Sequence, residues 1–211
     1  KEERRGRTKV HYIANDNKRP LQWRRYKEAD IIQVLPEKSI APGESYTFTL
    51  LYEVKLPDAK FTRFGHLKNE DYNLQYWYIA PAVFDGDWKL YSNKDIDDFY
   101  TTPSTYAIAF KAPEAFHLIT DINTVSDNNN NGLKTTRLYG ENRKEIVIYL
   151  QNQLQFESII TDNVTILTSI EDNELFPPMK AIQINRIVKF LENELGEYPF
   201  DKMVVSEESY R

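Results

Sequence analysis

From Ser45 to Val54 the chain alternates: Tyr46, Phe48, Leu50, Tyr52 and Val54 share one face, Thr47, Thr49 and Glu53 the other, with Leu51 out of step. Period two in aromatic and β-branched residues predicts a half-buried strand, and Pro42-Gly43 ahead of it predicts a turn. The same reasoning predicts strands over 29–35, 75–84, 105–111 and 164–168. It also predicts a hairpin pair over 134–139 and 144–150, with Ile146, Ile148 and Leu150 on one face. Ser126 to Gly132, with four asparagines and a glycine, reads as a polar loop whose tip tolerates left-handed backbone. Its one carboxylate makes it a poor calcium loop.

Near residue 171 the period changes. Ile184, Ile187, Val188, Leu191 and Leu195 recur at helical spacing. Gly196 stands where a C-capping glycine belongs, and Pro199 prevents continuation. Met203-Val204-Val205 then reads as the start of a strand. The predicted fold class is mainly β: an antiparallel β-sandwich or saddle over 1–173, then one helix and one strand of a truncated α/β domain over 174–211. A lone helix and strand cannot bury their own apolar faces. They pack back on the β domain, or the rest of their domain lies elsewhere.

Charge adds an asymmetry. Residues 1–28 hold 10 Lys/Arg and 4 Asp/Glu, a net of +6, so the other residues carry −11 of the total −5. The basic opening suits a solvated arm, a first strand, or a segment near an anionic surface. The acidic whole, with a pI of about 5.4, argues against a nucleic-acid partner. The absence of cysteine excludes disulfides, thiolate metal sites and a cysteine nucleophile. No early segment has the form of a signal peptide, and no stretch approaches the ~20 apolar residues that span a bilayer. Lys1 is not a methionine, and the 211 residues are expected to lie within a longer protein.

Catalytic motifs are missing. His11, His66 and His117 are far apart in sequence, and no His-Glu-x-x-His pattern pairs two of them for zinc. There is no Gly-x-Ser-x-Gly elbow and no phosphate loop. The carboxylate groups Asp85/Asp87, Asp95/Asp97/Asp98 and Glu207/Glu208 lie in turn-like polar stretches and read as solvated charge. The aromatic stretch Tyr72, Tyr76, Trp77, Tyr78, Phe84 and Trp88 has two readings, core packing or a ligand-facing shelf for a sugar or peptide.

Three segments carry a family likeness. Residues 61–66 read Phe-Thr-Arg-Phe-Gly-His, residues 76–88 read Tyr-Trp-Tyr-Ile-Ala-Pro-Ala-Val-Phe-Asp-Gly-Asp-Trp, and residues 194–205 read Glu-Leu-Gly-Glu-Tyr-Pro-Phe-Asp-Lys-Met-Val-Val. In order and rough spacing they resemble the amino-terminal β domain and first catalytic-domain elements of M1 (gluzincin) zinc aminopeptidases of bacterial type. Lys55-Leu56-Pro57, after the turn and its strand, fits as well.

The resemblance implies a non-catalytic domain that helps form and cap a peptide cleft, with Trp77, Tyr78 and Ala80 near the substrate. The family's substrate-pocket glutamine falls on Ala80, which cannot hydrogen-bond a peptide. The family's zinc helix follows the Tyr-Pro-Phe segment, so no catalytic residue carries over. No cofactor is expected in these 211 residues; zinc is expected in the catalytic domain that would follow. The implied partners are that domain and the parent enzyme's peptide substrate. The implied location is periplasmic or cell-surface in a bacterium, with a membrane-protein assembly as a further option. The alternative is a β-sandwich binding module for a glycan or protein.

Overall fold

The computed structural model describes residues 4–26, 30–90, 100–171 and 177–207. In chain order the first strands are β1 (Arg7–Asn15), β2 (Gln22–Arg25), β3 (Ile32–Leu35) and β4 (Phe48–Lys55). A single helical turn, α1 (Ala59–Thr62), precedes β5 (Gly65–His66), β6 (Tyr72–Leu74), β7 (Val83–Asp85) and β8 (Asp87–Lys89). Then come β9 (Ser104–Pro113), β10 (His117–Thr120), β11 (Asn123–Asn130), β12 (Leu133–Arg143) and β13 (Ile148–Gln151). The described chain closes with β14 (Glu157–Ile160), β15 (Thr165–Thr168), helix α2 (Pro177–Leu195) and β16 (Lys202–Val205). The fold is mainly β, and among the described residues every strand pairing is antiparallel except β15–β16. Two compact units divide it: Lys1–Pro57 with Trp77–Thr102, and Asp58–Tyr76 with Pro103–Arg211.

In the first unit β1 pairs with β4, from Arg7↔Lys55 to Asn15↔Phe48, with a bulge at His11. The alternation read in the sequence holds: Leu50, Tyr52 and Val54 are half-buried, while Thr49, Leu51 and Glu53 face out. Buried Asn15 fixes the turn after β1, its side chain accepting from the Arg19 N–H at 2.9 Å and donating to Glu37 at 2.8 Å. Within the basic opening, β1 and β2 are strands, and β2 pairs with β3.

The second unit is layered. One sheet has the order β10-β13-β6-β5 and another β11-β12-β9. A third, β14-β15-β16, packs Leu167 and Val204 toward a cluster of Ile119, Tyr149 and Phe156. Its opposite face presents Ile159, Ile166, Met203 and Val205 to α2, which covers them with Ala181, Ile184 and Val188. Gly196, at φ 96°, ends α2 by donating its N–H to the Glu192 carbonyl. The helix and strand therefore pack back on β strands.

Three sequence expectations fail for local reasons. Residues 134–139 and 144–150 do not form a hairpin: β12 pairs with β9 and β11, whereas β13 pairs with β10 and β6. All four β13 residues are buried, so both of its faces are covered. The 75–84 strand is interrupted, because Tyr76 adopts φ 54° and regular pairing resumes only at Val83. Ser126 to Asn130 belong to β11, an exposed strand held by its ladder with β12. Only Asn131 and Gly132 form the left-handed tip, at φ 51° and 74°.

Candidate functional site

The predicted aromatic segment lies in the first unit from Trp77 onward. Trp77, Tyr78 and Ala80 are all half-buried. Trp77 and Tyr78 meet edge to face at 5.7 Å, a favoured geometry for aromatic pairs. The segment rests on β4, where the Ile79 N–H reaches the Tyr52 hydroxyl at 3.4 Å. The prominent exposed rings come later. In the β7–β8 hairpin Phe84 lies opposite Trp88, with centroids 5.2 Å apart. These rings are 62% and 56% exposed. Gly86 makes the turn at φ 67°, and Asp85 and Asp87 flank it in solvent. The shelf that the sequence suggested around Trp77 is therefore exposed mainly at Phe84 and Trp88.

The other likeness-bearing segments fall at element ends. Arg63 caps α1 in the left-handed region at φ 63°, and Gly65 opens β5 at φ 112°. The buried Asn73 side chain donates to the Arg63 carbonyl at 3.0 Å. Tyr198 to Asp201 carry the chain from α2 to β16.

A buried charged cluster forms in the second unit and was not foreseen. Arg143, at the end of β12, is only 5% exposed. Its guanidinium carbon lies 3.4 Å from the centroid of the Phe200 ring. One of its Nη atoms lies 3.5 Å from Asp121 Oδ2. Arg143 Nε is buried without a hydrogen-bond partner among the described residues. Asp121 also accepts from the Val147 N–H at 3.2 Å, and Lys202 donates to the Ile122 carbonyl at 3.1 Å.

Burial sets the titration of this cluster. It pushes the Asp121 carboxyl up against the opposing pull of the Val147 N–H and Arg143. It also pushes the Lys202 ammonium down and the Tyr198 phenol up. No local motif announces the cluster, since its members come from three separated stretches. The arrangement can hold chain segments together; it presents no nucleophile–base pair.

A zinc site does not fit the described residues. His11, His66 and His117 lie on β1, β5 and β10. Among the described residues no three His, Asp or Glu side chains converge as metal ligands. Asp95, Asp97, Asp98 and Glu208 lie outside the described residues. No helix is long and apolar enough to cross a membrane among those residues.

No family model and no curated protein matches the chain. Solved structures do. A two-domain M1 zinc metallopeptidase bound to L-arginine matches at 15% identity and a TM-score of 0.58. The M1 zinc metallopeptidase of Deinococcus radiodurans bound to a Tyr-Ser-Ala substrate matches at 14% and 0.58. Another structure of the Deinococcus radiodurans enzyme matches at 15% and 0.55. Each match covers 94% of this chain and 46% of the other, so the chain spans about half the length of these structures. The fold of these 211 residues is that of a portion of the M1 zinc metallopeptidases.

Proposed function

We propose that the chain is the non-catalytic amino-terminal β domain of an M1-like zinc metallopeptidase, together with the first helix and strand of its catalytic domain. The observation that carries this reading is the fold match over 94% of the chain to M1 structures about twice as long. The ordered segments at 61–66, 76–88 and 194–205 support it independently. So does α2. One face packs on β14–β16, while Met179, Ile182, Ile187, Phe190 and Leu195 stay exposed. An exposed apolar stripe of that size suits further protein.

In this reading the β domain caps one side of a peptide cleft, with Trp77, Tyr78 and Ala80 nearest the substrate. Ala80 supplies no side-chain hydrogen bond, so recognition there rests on shape and apolar contact. Zinc and the groups that activate water sit on the catalytic domain, outside these residues. A periplasmic or cell-surface location, including a place in a membrane assembly, belongs to the same reading. The test is zinc stoichiometry and aminopeptidase turnover, measured on the 211-residue chain and on the longer polypeptide. Zinc and turnover in the longer form alone support the reading; turnover by the 211 residues overturns it.

The exposed Phe84–Trp88 pair favours a second reading, a glycan- or protein-binding module. Trp88→Ala would then abolish binding and leave the fold intact.

A further inference from the structure

We propose that Arg143, Asp121 and Phe200 form a proton-linked clasp that fixes β16, through the segment Tyr198 to Lys202, onto the sheets of the second unit. Two contacts reach that segment, and a third braces them from behind. Phe200 lies against the Arg143 guanidinium at 3.4 Å. Lys202 reaches the Ile122 carbonyl at 3.1 Å. Asp121, beside Ile122, faces Arg143 at 3.5 Å. Asp121 and Ile122 precede β11, and Arg143 ends β12, so the clasp joins this region to the strand that follows α2.

The clasp is incompletely satisfied. Arg143 Nε has no hydrogen-bond partner among the described residues, and its ion pair is long for a charge-assisted bond. Removing the Asp121 carboxylate from water outweighs what Arg143 and the Val147 N–H return. The closed clasp therefore binds a proton at Asp121 more readily than the open one. Linkage sets the sign: closure strengthens on acidification and weakens as pH rises through the Asp121 titration. The ionisable groups surrounding the site are Arg143, Glu145, Tyr198, Asp201 and Lys202. Burial pushes the Lys202 ammonium down and the Tyr198 phenol up from ordinary values that lie well above those of carboxylates.

The test is amide hydrogen exchange on the full 211-residue chain from about pH 3 to pH 7, a range that starts below the ordinary carboxylate value, referenced to intrinsic rates. The amides of the β15–β16 ladder report the clasp, and those of the β1–β4 ladder, which holds none of its residues, serve as control. Protection of β15–β16 rises on acidification relative to the control. Asp121→Asn removes that slope. Phe200→Leu leaves every titrating group in place, so it lowers protection and keeps the slope. A flat wild-type profile, an unchanged slope in Asp121→Asn, or undiminished protection in Phe200→Leu overturns the proposal.

Discussion

The guanidinium carbon of Arg143 lies 3.4 Å from the centroid of the Phe200 ring, in a site where Arg143 is 5% exposed. A cation desolvated on a ring is worth about 2 kcal/mol. The same arginine neutralises Asp121, so truncation does more than lose the stack. Arg143→Ala should cost about 3–5 kcal/mol, because a buried carboxylate loses its cation. Arg143→Lys should cost less, since it keeps the charge and loses only the guanidinium's contact with the ring. Arg143→Ala with Asp121→Ala should recover part of the loss. Urea denaturation of the four proteins checks the order.

Gly140 is a packing requirement. A Cβ at that position would lie 2.5 Å from Ile122 Cγ2 and 3.0 Å from its Cβ. Ile122 is fully buried and β-branched, so it cannot swing aside cheaply. Gly140→Ala should destabilise by about 1–3 kcal/mol. Combined with Ile122→Ala it should cost less than the sum of the two single changes, and a double-mutant cycle in denaturant measures the difference.

The two faces of α2 should respond differently. Val188 is buried against Ile159 and Ile166, and Val188→Ala should cost about 1–3 kcal/mol. Phe190 is 62% exposed, and Phe190→Lys should change the stability of the 211-residue chain by about 0.5 kcal/mol or less. Thermal melts of both variants make the comparison. A large loss in Phe190→Lys would show that this face is already covered.

Two aspartates should titrate on opposite sides of the ordinary carboxylate value. The Lys134 hydrogen bond, followed by that of Thr136, pulls Asp127 down, and its ion pair with Lys134 measures 2.8 Å. Burial pushes Asp121 up. Asp127 therefore adds stability above its unfolded pKa and loses it as pH falls through the folded one. Asp121 acts in reverse: its contribution is present below the unfolded pKa and is lost as pH rises through the folded one. Carbon-13 NMR of the side-chain carboxyls across acid pH reads both directions. The Asp127 effect should shrink with added salt, because the pair is exposed.

The elements most legible in sequence have one wet face and one dry one. Strands β4 and β9 alternate because their faces meet different surroundings. The C-terminus of α2 is marked by Gly196, whose left-handed backbone only glycine adopts freely. Strand β13 shows an apolar alternation, but it is buried on both faces, so the alternation could not say which strands flank it. Strand β11 is exposed throughout, so Asn128 to Asn130 look like loop while β12 holds them extended. The positive φ of Tyr76 has no residue signature and divides an aromatic run that reads as one strand. Of the candidate site, the aromatic stretch was visible, but exposure settled on Phe84 and Trp88. The Asp121–Arg143–Phe200 grouping was invisible because tertiary contact alone brings its members together.

The parallel pairing of β15 with β16 has a consequence for the order of assembly. Parallel neighbours cannot be joined by a tight turn; here the connection runs through all of α2. Thr165 meets Lys202 across a separation that makes this one of the costlier loops to close. During synthesis β14 and β15 can pair as soon as they emerge, while β16 must wait until the helix has cleared the ribosome. For that interval the face of β14–β15 that α2 later covers, with Ile159 and Ile166, has no cover, and an exposed apolar face favours association with another copy.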